Sequence, residues 1–332
     1  MAGLHWLVVA LRALAFLLAL GAAAFGFLAL GGVVSRWLDV LTHFAPLYLI
    51  AGLGAVLLRL ATGLDGSRPT LTLGLAAVAF AAILIAPELL SAEMLGRLRA
   101  PAPPQGRVQT VKLLQFNLWE RNLDPEGTAR WIAAQGADVV VLEEVNDHAG
   151  EIPDLLRAQY PYRTTCWPQR PCSTTILTRV KPTASAGLMP PPARLSAAWV
   201  TLGAGADAFT VAGVHYTWPI PPGPQQNQSH RLEAALTGFD RRSLIVAGDM
   251  NSTPWSFTLR RQDARFGLQR RTRALFTWPV APFGAFRLRS PLPFLAIDQV
   301  YAGSDWTTVS VKAGPRQGSD HQPVTVVLQR PR

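Results

Sequence analysis

Five short segments run an apolar, strand-like stretch into a carboxylate, an amide or an imidazole. LLQFN closes on Asn117, VVVLEE on Glu143 and Glu144, and FTVAGVH on His215. LIVAGDMN carries Asp249 and Asn251, and FLAID closes on Asp298. A sixth, GSDHQP, sets Asp320 and His321 just before a last strand-like run. Carboxylates, an amide and imidazoles without a thiolate form an oxygen-rich donor set, which suits Mg²⁺ or Mn²⁺ better than a structural zinc. Such an ion neutralises phosphate and stabilises the charge of its transition state. His215 and His321 are natural proton handlers near neutral pH. Singly, each segment also has a plain structural reading: Asp249 and Asn251 suit an Asx-type turn, Glu144 a helix cap, His321 a satisfied surface histidine. Six strand ends that offer one kind of chemistry point to one shared rim.

The elements that must position these residues follow from periodicity. Residues 108–117 read as a strand, and Asp124-Pro125 caps and opens a helix containing Trp131 and Ile132. DVVVL at 138–142 is an apolar run of buried-strand type. Strand-like runs recur at 173–178, 208–214, 243–247, 296–301, 307–312 and 323–329, with helical stretches at 151–158 and 230–240. Residues 108–332 therefore form an α/β or α+β domain built on extended sheets. The dinucleotide-binding glycine fingerprint, the Walker loop, H-E-x-x-H and G-x-S-x-G are all missing from the sequence.

From about Val108 to Leu328 the chain resembles the endonuclease/exonuclease/phosphatase superfamily. The most specific segments are GDMNSTP at 248–254, GSDHQP at 318–323 and AIDQV at 296–300, supported by FN at 116–117, VLEE at 141–144 and His215. The resemblance implies a four-layer α-β-β-α sandwich with two central mixed sheets, and metal-assisted hydrolysis of a phosphate ester. By that resemblance Glu144 binds the metal, Asn117 supports metal and phosphate, and Asp320 is an additional metal or orienting acid. Asp249 and Asn251 orient the attacking water and hold a phosphate oxygen. His215 contacts the scissile phosphate, His321 pairs with Asp298, and Arg179 supports the site. Two positions depart from the family pattern: Glu143 stands where Gln is usual, and Gln299 where His often follows the aspartate. Thr277-Trp278-Pro279 matches a turn common in these proteins.

Composition divides the chain. It has 332 residues, 49% hydrophobic and 16% charged, which excludes a disordered or fibrous protein. Two cysteines exclude a zinc ribbon or a disulfide-stapled mini-fold. Residues 1–104 hold 6 Lys/Arg and 4 Asp/Glu, whereas residues 105–332 hold 25 and 17. The resulting net charge of +8 on the second part, mostly arginine, suits phosphate-rich partners such as nucleic acid or anionic lipid. Uncharged or nearly uncharged runs at 13–34, 38–58 and 71–86 read as three membrane helices. The expected organisation is a membrane domain over 1–95, a Pro-rich linker over 96–107 and a catalytic domain over 108–332.

Arginine does not orient the membrane part. With the amino terminus inside, Arg12, Arg59 and Arg68 lie inside while Arg36, Arg97 and Arg99 lie outside. Cys166 and Cys172, separated by WPQRP, have a spacing that suits a disulfide and hence an oxidising compartment. With three spans, that places the catalytic domain outside the cytoplasm, in the manner of bacterial inner-membrane members with a periplasmic domain. Two substrate classes stay open: nucleic acid, favoured by the positive charge, and phospholipid, favoured by the bilayer and by the apolar loop Trp218–Pro224. A third class, a membrane scaffold without chemistry, is opposed by the intact acids and histidines.

Overall fold

In the computed structural model the chain is described over residues 2–63, 65–96, 106–166, 172–188, 195–282 and 288–332. The expected linker, including Arg97 and Arg99, and the WPQRP segment therefore lie outside the described residues, apart from Gly96, Gly106 and Arg107. The chain divides into two units. The first comprises Met1–Leu90 together with Ile220–Gly223 and Ser252–Arg261. The second comprises Ser91–Pro219, Pro224–Asn251 and Gln262–Arg332.

The first unit contains helices α1 (Ala2–Leu30), α2 (Arg36–Thr42), α3 (Ala45–Ala61) and α4 (Arg68–Leu89). Many of its buried positions are small, among them Ala15, Ala19, Ala22, Ala55, Ala77 and Ala81, with Tyr48, Leu84 and Ile85 the large apolar residues buried beside them. A Cβ on Gly52 would press on the Gly74 carbonyl, so α3 and α4 cross at backbone contact distance. Leu17, Phe27, Ile50, Leu57, Leu75 and Ile83 point outward. Small residues inside and large apolar residues outside invert the pattern of a water-soluble bundle and suit a hydrocarbon solvent. The segment Ala2–Val33 and α4 are long and apolar enough to cross a membrane. The expected span at 38–58 is instead two helices, α2 and α3, bent by 55°. Pro46 in the first turn of α3 explains the break, since it has no N–H to continue a ladder from α2.

The second unit opens with α5 (Ala92–Gly96) and then β1 (Val108–Asn117), α6 (Pro125–Gln135), β2 (Val139–Glu143), α7 (Ile152–Leu155), β3 (Tyr162–Thr165) and β4 (Thr175–Thr178). It continues through β5 (Ala184–Gly187), β6 (Ser196–Leu202), β7 (Phe209–His215), α8 (Pro224–Leu236) and β8 (Ile245–Asp249). After α9 (Phe257–Phe266), which begins in the first unit, come β9 (Gln269–Arg270), β10 (Asp298–Ala302), β11 (Thr307–Ala313) and β12 (Val324–Pro331). Two six-stranded sheets result, in the orders β11-β12-β1-β2-β4-β3 and β5-β6-β7-β8-β10-β9. Both are mixed, with β1–β2 and β7–β8 the parallel pairs.

Alternation sorts the side chains. Val111, Leu113, Val139 and Val141 enter the core shared with Val211, Ile245, Ala247 and Val300 of the other sheet. Leu114, Phe116, Val140 and Leu142 face the other way and pack with Ile132 of α6. The architecture is thus the expected α/β sandwich of helix, sheet, sheet and helix. Gln115, Asn117 and Glu143 continue the inward-facing positions and so carry polar groups to one end of the inter-sheet layer.

Candidate active site

Strand register brings the polar ends together. His215 of β7 pairs with Asp249 of β8, and Asp249 pairs in turn with Asp298 of β10. In the other sheet Asn117 of β1 pairs with Glu143 of β2. Gly248 permits the first of these alignments, because a Cβ there would overlap the Val214 carbonyl of the neighbouring strand.

Asn117 links the two sheets. Its Nδ2 donates to Glu144 Oε1 at 3.0 Å and to Asp249 Oδ2 at 2.9 Å, while its Oδ1 accepts from the Trp119 amide at 2.9 Å. Asn117 therefore presents amide hydrogens to the acids and holds them in place. Asp249 Oδ1 accepts from the Asn251 amide at 2.7 Å. The Asn251 side chain donates to the Tyr216 carbonyl at 2.8 Å and lies 3.2 Å from His215 Nε2. His215 Nδ1 meets Ser173 Oγ at 3.1 Å. Its Nε2 stands 3.8 Å from both Glu144 and Asp249. Trp119, Glu144 and Asn251 all adopt left-handed backbone angles, with φ of 58°, 54° and 45°. Such strain in non-glycine residues is characteristic of functional sites.

The second imidazole is locked. His321 Nδ1 lies 2.9 Å from Asp298 Oδ2, which also accepts from Thr277 Oγ1 at 2.6 Å. Asp298 Oδ1 accepts from Gln115 Nε2 at 2.9 Å, and the same amide nitrogen donates to Glu143 Oε2 at 2.9 Å. His321 Nε2 faces Asp249 at 3.8 Å and Asp320 at 3.9 Å. Asp320 accepts the indole N–H of Trp278 at 3.0 Å. Ligand atoms of Asp249, Asp298 and His321 lie within 4.8 Å of one another.

Charge is unevenly compensated. Burial alone would pull the His321 pKa down, but the charge and hydrogen bond of Asp298, with Asp249 and Asp320, raise it to about 10. Burial lowers that of His215 against the pull of Glu144. Asp249 is raised to about 7, chiefly by burial. Burial works against Asp298 too, yet His321 and three hydrogen bonds hold it below the usual carboxylate range. Glu143 is raised well above that range by burial and then by the charges of Asp298 and Asp249. Among the described residues the ion-pair partners of Glu144, Asp249, Asp298 and Asp320 are imidazoles alone. Gathered acids with so little opposing charge suit a cation, and their hard oxygens suit Mg²⁺ or Mn²⁺.

Most of the expected site residues meet here. Arg179 does not. β2 and β4 are antiparallel, with Val139 opposite Thr178 and Leu142 opposite Thr175. Arg179 therefore follows the end of β4 remote from Glu143, where it is exposed and donates to the Gly136 carbonyl at 3.5 Å. Ser173, before the near end of β4, reaches His215 instead. Sequence reasoning also passed over Gln115, whose inward position two residues before Asn117 was the available signal.

No curated protein matches the chain in sequence. Among solved structures, an endonuclease/exonuclease/phosphatase from Beutenbergia cavernae DSM 12333 is 22% identical, with a TM-score of 0.50, and the match covers 67% of this chain and 72% of that one. A family protein from Bacteroides thetaiotaomicron is 12% identical, with a TM-score of 0.52 over 68% of this chain and 100% of that one. A mutant beta toxin from Staphylococcus aureus with bound magnesium ions is 10% identical, with a TM-score of 0.50 over 66% and 99% of the two chains. At these identities the likeness is one of fold. The Endonuclease/Exonuclease/phosphatase family model, however, matches residues 114–321, most of the chain and every residue of the rim, and the protein belongs to that family.

Proposed function

We propose that this phosphoesterase is a membrane-anchored, divalent-metal-dependent phosphodiesterase whose catalytic unit lies outside the cytoplasm. The observation that carries the reading is the register that aligns His215, Asp249 and Asp298 across three strands, with Asn117 joining Asp249 to Glu144. In this reading Glu144, at the half-exposed rim, and Asp320 would hold Mg²⁺ or Mn²⁺, which would supply neutralisation of the phosphate and its developing charge, and Asn117 orients Glu144. Asn251 and His215 hold the phosphoryl oxygens. His321, held cationic by Asp298, adds positive charge towards those oxygens. Asp249, with a pKa near neutrality, accepts the proton of the attacking water.

Anchoring is supported by the apolar exterior of the first unit, and the side of the membrane by two further features. Counting the bent α2–α3 pair as one gives three spans, an odd number that supports a catalytic unit on the side opposite the amino terminus. Cys166 and Cys172 form a disulfide, with Cα atoms 5.8 Å apart, as expected in an oxidising compartment. For the substrate, a phospholipid is favoured by Trp218, Leu292 and Phe294, exposed at 59%, 72% and 40%. The Trp218 and Phe294 rings flank Trp278 at 6.1 and 6.3 Å, and Trp278 is hydrogen-bonded to Asp320 of the rim. The test is hydrolysis by the full chain in nanodiscs, with Mg²⁺, Mn²⁺ or EDTA, against phospholipid, DNA, RNA and small phosphodiesters. Metal-dependent cleavage of a phosphodiester is expected, with phospholipid preferred. No cleavage of any of them would overturn the reading.

A further inference from the structure

Asp39 is an acid in an apolar stretch, 3% exposed, and the chemistry above does not use it. Its carboxylate is engaged chiefly by the Ser252–Arg261 segment of the same unit, with Thr42 Oγ1 also donating to Oδ1 at 3.2 Å. Oδ1 accepts from the Phe257 amide at 2.8 Å. Oδ2 accepts from the Thr258 amide at 2.8 Å and the Thr258 hydroxyl at 2.6 Å, with Arg261 Nη2 at 3.5 Å. These are the first two amides of α9. The other two are met locally, Leu259 by Ser256 Oγ at 3.1 Å and Ser256 itself by the Thr253 carbonyl at 3.0 Å. All four donors that a helix start leaves unmatched are thus satisfied, half of them by one residue more than two hundred positions earlier.

Other groups grip the same segment. His43 Nδ1 lies 2.9 Å from Thr253 Oγ1. Arg261 donates to the Val33 carbonyl at 3.2 Å, and Arg260 to the Leu84 carbonyl. A Cβ on Gly32 would press on the Phe257 ring. Inside the segment Ser252 and Ser256 share a hydroxyl hydrogen bond of 2.9 Å. Ser252 is one peptide bond from Asn251, whose left-handed backbone aims its side chain at His215. A turn fixed at its far end by α2 constrains the residue at its near end.

We propose that Asp39 and His43 are positioning residues for the reaction. By fixing the start of α9 and the Ser252–Ser256 turn, they hold the Asn251 backbone in the conformation the phosphate requires. The proposal rests on the phosphoesterase reading above and assigns the membrane helices a share in turnover beyond tethering.

The experiment uses the full chain in nanodiscs with Mg²⁺ and bis(para-nitrophenyl) phosphate, a soluble substrate that needs no bilayer. Asp39→Ala should lower kcat about tenfold with little change in KM, the scale set by a modest misplacement of a catalytic group. Asp39→Asn, which keeps one side-chain oxygen for the helix amides, should recover part of the loss. Asp240→Ala, which breaks a remote surface turn, should leave kcat unchanged. Amide hydrogen exchange should quicken at Phe257 and Thr258 and extend to residues 250–252. If Asp39→Ala does not fold, Thr258→Val and His43→Leu carry the same test with smaller losses. Unchanged kcat with exchange confined to Phe257 and Thr258 would overturn the proposal. If the wild-type chain cleaves no phosphodiester, the functional reading fails separately, and exchange at 250–252 still decides whether Asp39 holds Asn251.

Discussion

Replacing Glu143 by Gln should leave the reaction running and flatten the pH dependence of stability, whereas Glu144→Gln should stop turnover. Glu143 is fully buried; Oε2 takes the Gln115 hydrogen bond, and Oε1 meets no hydrogen-bond donor among the described residues. Its raised pKa means that the folded protein holds a proton the unfolded chain releases. The stability so gained is complete below the unfolded value of 4.5 and is lost as pH rises through the folded value. Each pH unit within that window removes about 1.4 kcal/mol. Glutamine keeps the shape and an acceptor for Gln115 but carries no charge to desolvate, so this slope should vanish from the variant. Thermal unfolding of both proteins in EDTA, from about pH 5 to pH 8, reads the difference. The two should nearly coincide at the acid end, and the variant should gain on the wild type with each step upward. Its kcat with Mg²⁺ should stay within about threefold, the scale of one altered hydrogen bond. Glu144→Gln should lose at least ~10²-fold in kcat with unchanged unfolding behaviour. An inactive Glu143→Gln beside an active Glu144→Gln, or an unchanged pH slope, would refute the reasoning.

Phosphodiester hydrolysis should disappear in EDTA and return with Mg²⁺ or Mn²⁺, followed by colorimetric assay after dialysis. Asp249→Asn, Asn251→Ala, His215→Ala and His321→Ala should each cost at least ~10²-fold in single-turnover rate, as positioned acid–base and electrostatic groups do. Thr277→Val removes a short hydrogen bond to the Asp298 carboxylate and should lower kcat roughly tenfold or more, at about 1.5–3 kcal/mol for a bond to a charged group. Cys166→Ser opens a loop of sequence separation 6 and should lower stability by about 2 kcal/mol, with non-reducing mass mapping of the wild type recovering the Cys166–Cys172 bridge.

Residues whose local pattern and tertiary role coincide were legible in the sequence. VVVLEE and LIVAGDMN are apolar enough to demand a buried strand, and such a strand must deliver its last polar residue to a sheet end. Their register could not be read. That His215, Asp249 and Asp298 lie side by side depends on one parallel and one antiparallel pairing between segments separated by loops, α8, α9 and β9. Arg179 shows the same gap from the other side. A residue closing a strand reads alike at either end of a sheet, and only the antiparallel pairing of β2 with β4 reveals that it closes the wrong one. Short polar strands such as β3 and β5 were missed because YRTT and ASAG have too little apolar material for a period to show.

Asp39 marks a different limit. In sequence it is a polar blemish at the start of a hydrophobic run, and hydropathy arithmetic treats it as a cost to be tolerated. In the structure it is bonded to the start of a helix that follows GDMN by a few residues, and its burial is matched by two backbone amides and a hydroxyl. A buried carboxylate is stable only where such donors converge, so its presence in an apolar segment implies a partner elsewhere in the chain. Sequence composition can show that the partner must exist. Only the fold shows that it is the segment leaving Asn251.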